Sequence, residues 1–280
     1  MEFRIGFSSV KHFIPKVLSC IELRFEIDFW QLKRKGLSIG ILMIMSESSD
    51  RTWSKDVVRL VCMSDTHNKE YTRTGIPHGD VLIHAGDLTK IGTKKELIAA
   101  RAYIDSFPHP QKIVIAGNHE ISLDTPFYCG PTNRFHRDLF KSKKLDRTKY
   151  SSQCRDIISQ TSGSSSSIYN YLEDSSCFID SGACVQGSVA PPQIRVYGSP
   201  YQPEHYLMGF TLPTGPLLEA KWAQISDDVD VLVTHGPPKG ILDGLFDGPH
   251  VGCEHLLEAV QSRVKPRVHI FGHIHEGYGT

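Results

Sequence analysis

The sequence predicts an α/β fold, a sandwich with much parallel pairing, and three observations predict it. Short runs rich in Val and Ile recur from residue 56 onward. Stretches with apolar residues at three- and four-residue intervals separate them, which is helical spacing. Five of the runs end in a polar residue of a type that binds metal ions. Strands alternating with helices in this way wind into a largely parallel α/β sheet.

In order, the strand runs are Val57 to Met63, Val81 to Ile83, Ile113 to Ile115, Ile194 to Tyr197, Val229 to Val233 and Val268 to Phe271. Several are almost unbroken apolar stretches, as expected of strands buried on both faces. Helical spacing falls on Thr93 to Phe107, Pro216 to Ile225 and Cys253 to Val264. Trp222 lies on a face that should pack on the sheet, and Cys253 reads as core. Between about 130 and 190 the pattern weakens. Arg134 to Tyr150 is strongly basic and Ser162 to Ser167 nearly all Ser, which predicts a helix followed by a flexible loop.

Residues 1–50 mix Phe, Ile and Leu with Lys and Arg without a sustained period, then pass into the polar stretch Ser46 to Asp50. They read as a poorly ordered N-terminal extension ahead of a domain over 51–280. Met45 or Met43 is a plausible start site, which the intact mass of the natural protein would check.

The 280 residues suit one large or two modest domains. Lys and Arg together number 31 against 31 Asp and Glu, with no long single-sign block, so no nucleic-acid polymer and no membrane surface is expected as the main partner. The seven Cys are odd in number, scattered and never spaced CxxC, which indicates neither a disulfide framework nor a Cys-based zinc site and favours a reducing, cytoplasmic setting. The apolar run Leu37 to Met45 is far short of the ~20 residues that span a bilayer.

The chemistry sits where the strands end. Ser64-Asp65-Thr66-His67 follows the first strand, Gly86-Asp87 the second and Gly117-Asn118-His119-Glu120 the third; Thr234-His235-Gly236 and Gly272-His273-Ile274-His275 follow the last two. The carboxyl ends of strands in an open α/β sheet line one crevice, so these residues should converge. Carboxylate and imidazole together suit Mn²⁺, Fe²⁺ or Zn²⁺, whereas an all-oxygen cage would favour Mg²⁺ or Ca²⁺. One carboxylate can bridge a pair of such ions.

The order DTH, GD, GNHE, THG, GHIH resembles the calcineurin-like metallophosphoesterases. The longer strings VLIHAGDLT, YGSPYQP, VTHGPPKGILD and FGHIHEGYG are similar to the MPPED-type metallophosphodiesterases in particular. The resemblance covers roughly 56–280 and is loose between 130 and 190. It implies a metallophosphoesterase β-sandwich of two mixed sheets flanked by helices. It also implies two divalent ions, with Mn²⁺ first and Fe²⁺ or Zn²⁺ as alternatives. Asp65, His67, Asp87 and His275 would hold one and Asn118, His235 and His273 the other, with Asp87 shared. A hydroxide bridging them would be the nucleophile and His119 the general acid. Glu120 either orients His119 or ends its loop.

Two departures narrow the class. A purple acid phosphatase would carry Tyr where this chain has Lys90, and a protein Ser/Thr phosphatase would carry Arg where it has Ala116. A site poor in fixed cations suits a singly charged phosphodiester better than a dianionic monoester, so the expected substrate is a small phosphodiester, a nucleotide or cyclic nucleotide. Tyr201, Pro237 and Tyr278 flank the expected crevice, where they either stack on a base or serve loop packing. In the resembling family the fold runs past the position of Thr280, so the domain is expected to lack its final strands, with an apparent C-terminal truncation and an exposed edge that a protein partner could cover.

Of the other histidines, His84 and His269 read as core, and His12, His78, His109, His136, His205, His250 and His255 as loop or helix-surface residues. A rival reading is a catalytically weak protein-interaction module that keeps the phosphoesterase fold. A zinc peptidase is disfavoured by the lack of HExxH.

Overall fold

The structure is a computed structural model that describes residues 18–24, 57–70, 76–136, 146–160, 167–179, 193–204, 206–246 and 248–277, the first segment and residue 57 by main chain only. Two sheets stack face to face. The first has the strand order β1 (Leu18–Arg24), β2 (Val57–Met63), β3 (Val81–Ala85), β4 (Gln111–Ile115), β5 (Ile168–Leu172). β2 to β5 run parallel and β1 is antiparallel to β2. Residues 18–24 fall in the stretch read as a poorly ordered extension, yet there they form β1, because the outer edge of β2 offers an unpaired ladder of N–H and C=O groups for them to join.

Chain and sheet change together after β5. Residues Glu173 and Asp174 carry the chain across to β6 (Ser175–Ile179), which opens the second sheet and pairs antiparallel with β7 (Ile194–Ser199). β10 (Val231–Thr234) and β11 (Val268–Ile270) then add parallel to β7. A short parallel ladder, β8 (Gln202–Pro203) with β9 (Thr211–Leu212), caps the crevice loops. The fold is the expected sandwich of two mixed sheets.

Alternation along the strands builds the layers. Leu60, Ile83, Ile113 and Ile115 face Val196, Val231, Val233 and Ile270 between the sheets. Their neighbours point outward, where α1 (Lys94–Asp105) covers the first sheet through Ala100 and Ile104. On the second sheet α4 (Pro216–Trp222) and α5 (Glu254–Glu258) bring Leu218, Trp222 and Leu256 against Tyr197 and Leu232. Both strand faces are therefore dry, as the unbroken apolar runs require. α2 (Thr125–Cys129) and α3 (Arg147–Ser159) pack at the end of the first sheet, with Cys154 and Ile158 meeting Leu97, Leu123 and Phe210.

Helix α3 overlaps the basic stretch only from Arg147 to Tyr150 and runs on to Ser159, so it lies later than the helix expected there; the Ser-rich loop after it lies outside the described residues apart from Ser167. Strands β5 and β6 were not foreseen. Trp222 and Cys253 are core, as expected, and the Cys253 Sγ accepts hydrogen bonds from the Trp222 indole and the Leu256 N–H. His109 and His136 correct the sequence reading: both are buried rather than exposed, because each finds a carbonyl partner, Pro77 and Ile91. Among the described residues no helix is long and apolar enough to cross a membrane.

Candidate metal centre

All five motifs meet at the carboxyl edge, three from the first sheet and two from the second. Sharp loops make this possible. Asp65, His67, Asp87 and His273 all have left-handed backbone, with φ of 54°, 45°, 55° and 68°, so the chain turns at once after each strand and aims the side chain back over its end. Gly86 and Gly117 admit the neighbours. A Cβ on Gly117 would lie 2.6 Å from the His235 ring, and one on Gly86 2.5 Å from its Nδ1.

Asp87 is central and buried. Its Oδ1 accepts the His119 N–H at 2.9 Å and lies 3.3 Å from His235 Nε2, while its Oδ2 lies 3.8 Å from both His67 Nε2 and His119 Nε2. Asp65 Oδ1 is 3.3 Å from His275 Nε2, and the Asp65 carboxylate also accepts the His273 N–H. Three groups have ligand atoms mutually within 4.8 Å: Asp65, His67 and His275; His67, Asp87 and His119; Asp87, His235 and His273. Asn118 joins the last of these, its Oδ1 being 3.0 Å from His235 Nε2.

Three imidazoles share one arrangement. His67 Nδ1 is 3.0 Å from the Thr89 carbonyl, His119 Nδ1 2.5 Å from the Lys90 carbonyl and His235 Nδ1 2.8 Å from the Ala85 carbonyl. A carbonyl only accepts, so in each ring the Nδ1 hydrogen is donated to backbone and Nε2 is turned toward Asp87. That is how metal-binding imidazoles are held.

Around His235 the electrostatics demand a cation. Its Nε2 faces two oxygens, Asn118 Oδ1 and Asp87 Oδ1, so a bare lone pair there would repel both. Burial opposes charge on this ring, but Asp87 overrides it and raises the imidazole to about 9. Asp87 is held well below the usual carboxylate range against its own burial, chiefly by the charge of His235. Burial also opposes ionisation of Asp65, and the His275 hydrogen bond and His235 charge outweigh it. His275 moves up through its bond to Asp65, and His67 moves down through burial. The residues fit a cation-binding centre: acceptor atoms converge from both sheets, and a proton on His235 holds the place a metal ion would take.

The Glu120 carboxylate bonds to the Thr89 and Gly117 main chain and to the Thr89 hydroxyl rather than to the His119 ring. Its Oε1 accepts from Thr89 N and Oγ1 at 2.8 and 2.7 Å, and its Oε2 accepts from Gly117 N at 2.8 Å. Sequence reasoning missed Gln202, whose Nε2 donates to Asn118 Oδ1 at 3.1 Å, and Met208, whose Sδ accepts from Asn118 Nδ2 at 3.2 Å. The polar Gln within YGSPYQP was the one signal available. Tyr201 is not brought to the cluster: its ring packs edge-on against Phe210 and under Lys221. Pro237 is buried, its carbonyl accepting from Cys253 N. Tyr278 lies outside the described residues.

Two mixed sheets with an aspartate–histidine cluster across their carboxyl edge define a metallophosphoesterase. The calcineurin-like phosphoesterase profile matches residues 58–277, and the chain belongs to that family, which is metal-dependent. It is 40% identical over 223 residues to human metallophosphoesterase domain-containing protein 1, covering 79% of this chain and 62% of that protein. It is 40% identical over 225 residues, 80% of this chain and 18% of that protein, to the probable rhamnogalacturonate lyase C of Emericella nidulans. It is also 35% identical over 230 residues, 80% of this chain and 70% of that protein, to UPF0046 protein C25E10.12 of Caenorhabditis elegans. The chain thus spans less than two thirds of the human relative.

Proposed function

We propose that the chain is a phosphodiester hydrolase that uses two divalent ions, Mn²⁺ first among them, on a small nucleotide-type diester. The observation that carries the reading is the shared tether of His67, His119 and His235, each with Nδ1 on a carbonyl and Nε2 turned toward Asp87. Asp65, His67, Asp87 and His275 would hold one ion and Asp87, Asn118, His235 and His273 the other. Such ions activate water near neutral pH and neutralise phosphoryl charge when bound.

The chain's own groups do the rest. His119 is less enclosed than Asp87 or His235, so its Nε2 can meet a substrate oxygen. With Nδ1–H committed to Lys90, the imidazolium delivers its proton from Nε2 to the leaving alkoxide. The described ion-pair partners of Asp65 and Asp87 are all imidazoles, with no Lys or Arg among them. This supports a monoanionic diester over a monoester. We assign base stacking to Tyr206, which is 82% exposed and two residues from Met208, which touches Asn118. The seven cysteines are scattered and never spaced CxxC, which supports a cytoplasmic setting.

Metal analysis of the purified chain and hydrolysis of bis-nitrophenyl phosphate with added Mn²⁺ test this. Bound metal, and faster turnover of the diester than of nitrophenyl phosphate, are expected. Tyr206→Ala should raise KM about tenfold for a nucleotide diester and leave bis-nitrophenyl phosphate unchanged, from ~1–3 kcal/mol of stacking. No metal and no turnover would overturn the hydrolase reading and favour the interaction module.

A further inference from the structure

We propose that Glu120 is a positioning residue for His119, acting through the backbone of the Asp87 loop. Glu120 is fully buried, and each of its carboxylate oxygens is committed to backbone. Oε2 holds Gly117 N, at the start of the loop that bears Asn118 and His119. Oε1 holds Thr89 N and Oγ1, two residues beyond Asp87. One side chain therefore ties the third motif to the second.

The tie fixes two carbonyls. Thr89 O receives His67 Nδ1 and Lys90 O receives His119 Nδ1. The turn between is pinned further: Gly92 N donates to Thr89 Oγ1 and Ser122 Oγ donates to Gly92 O. His119 is the more sensitive of the two rings, because its side chain is 30% exposed against 17% for His67, so less packing supplements the single carbonyl that holds its Nδ1. Displacing the Lys90 carbonyl removes the acceptor that orients the ring, so the neutral imidazole is no longer held with Nδ1–H on backbone and Nε2 turned toward Asp87.

Glu120→Gln tests the proposal with little change in volume. An amide offers oxygen at one end only, so its NH₂ must face the N–H of Gly117 or of Thr89 and one tie is lost. Imidazole ¹H–¹⁵N correlation spectra of the metal-free protein, recorded about two units above the ordinary histidine value of ~6.5, report the tautomer without any need for activity. Wild type should show His119 as the Nδ1–H form and Glu120→Gln a mixture with Nε2–H. An unchanged tautomer would overturn the proposal.

The functional consequence rests on the general-acid reading of His119, and a double-mutant cycle separates the two. Glu120→Gln should lower kcat about tenfold on a diester with an alkyl leaving group, part of the 10²–10⁴ that acid catalysis supplies, and have little further effect in a His119→Ala background. An equal loss in both backgrounds means that Glu120 is merely structural. A wild type without turnover refutes the hydrolase reading and leaves the tautomer comparison to decide this one. Thr89→Val, which removes the hydroxyl's bonds to Glu120 and to Gly92 N but keeps the Thr89 N–H tie to Glu120, should shift the tautomer in the same direction by less and serves if Glu120→Gln does not fold.

Discussion

His84 and His269 occupy matching places in the two sheets. Each stands mid-strand beside a Thr at the end of the neighbouring strand: Thr66 Oγ1 is 3.0 Å from His84 Nε2, and Thr234 Oγ1 is 2.8 Å from His269 Nε2. Thr234 Oγ1 donates to Gly236 O, so His269 must be the donor in its pair. Burial pushes His84 down to about 4 and His269 to about 3, and both are neutral in the folded state near pH 7. The unfolded chain takes up protons first, at about pH 6.5, so their contribution to stability is intact above that value and is lost as pH falls toward the folded values. Glu120 has the opposite sign: burial, then Asp87, raise it to about 7, so it regains stability as pH falls from about 7 to its unfolded value. Burial lowers His67, His109 and His136 as well, so the histidines outweigh Glu120 and the metal-free protein should weaken between pH 6.5 and 5. His84→Gln should flatten that slope by about 1.4 kcal/mol per pH unit, read by urea unfolding at the two pH values. A slope identical to wild type would show that His84 charges without cost in the fold.

At the scale of elements, the carboxyl ends of the strands are built by close approach. Gly117 joins β4 to its loop with no room for a side chain: a Cβ would meet the Asp87 carboxylate, Asp87 N at 2.6 Å and the His235 ring. Gly117→Ala should therefore preserve the sheets and empty the centre, with near-native far-UV circular dichroism but loss of at least one bound metal and ~100-fold or more in turnover, the scale of a misplaced reacting group. Full metal content in that variant would count against the tight packing described. This is also where sequence and structure part. The six apolar runs became β2, β3, β4, β7, β10 and β11 because strands covered on both faces have no polar alternation to obscure them. β5 and β6 escaped notice because their outer positions carry Asn170, Ser175 and Ser176, and because the sheet change between them leaves each half-covered. The ligand types were legible because each follows its own strand. Glu120, Thr89 and Gln202 were not, since their meaning lies in contacts such as Gln202 to Asn118, 84 residues apart in sequence.

On the scale of the whole molecule, the two sheets meet through an apolar interlayer, at one covalent crossing among the described strands, and across the metal centre. The crossing is tied by charge: Lys221 Nζ donates to Asp174 Oδ2 and Ser199 Oγ to Asp174 Oδ1, both at 2.7 Å, while Arg155 pairs with Glu173. The centre lies at the same edge and draws on both layers, with Asp65, His67, Asp87 and Asn118 following strands of the first sheet and His235, His273 and His275 strands of the second. Ions held there would join the sheets at an edge where carboxylates and imidazoles otherwise confront each other. Binding to the folded state alone stabilises by RT ln(1 + [L]/Kd), about 2.7 kcal/mol at a hundredfold excess over Kd. For a domain of this size each kcal/mol moves Tm by roughly 2–4 °C, so Mn²⁺ should raise the Tm of chelator-treated protein by about 5–10 °C. Asp87→Asn removes the carboxylate that two of the three ligand groups share and should abolish most of that rise, whereas His255→Ala, on α5 and away from the centre, should keep it. Equal melting with and without metal in the wild type would mean that the centre bears no load between the sheets, and a full rise in Asp87→Asn would place the stabilising ion elsewhere.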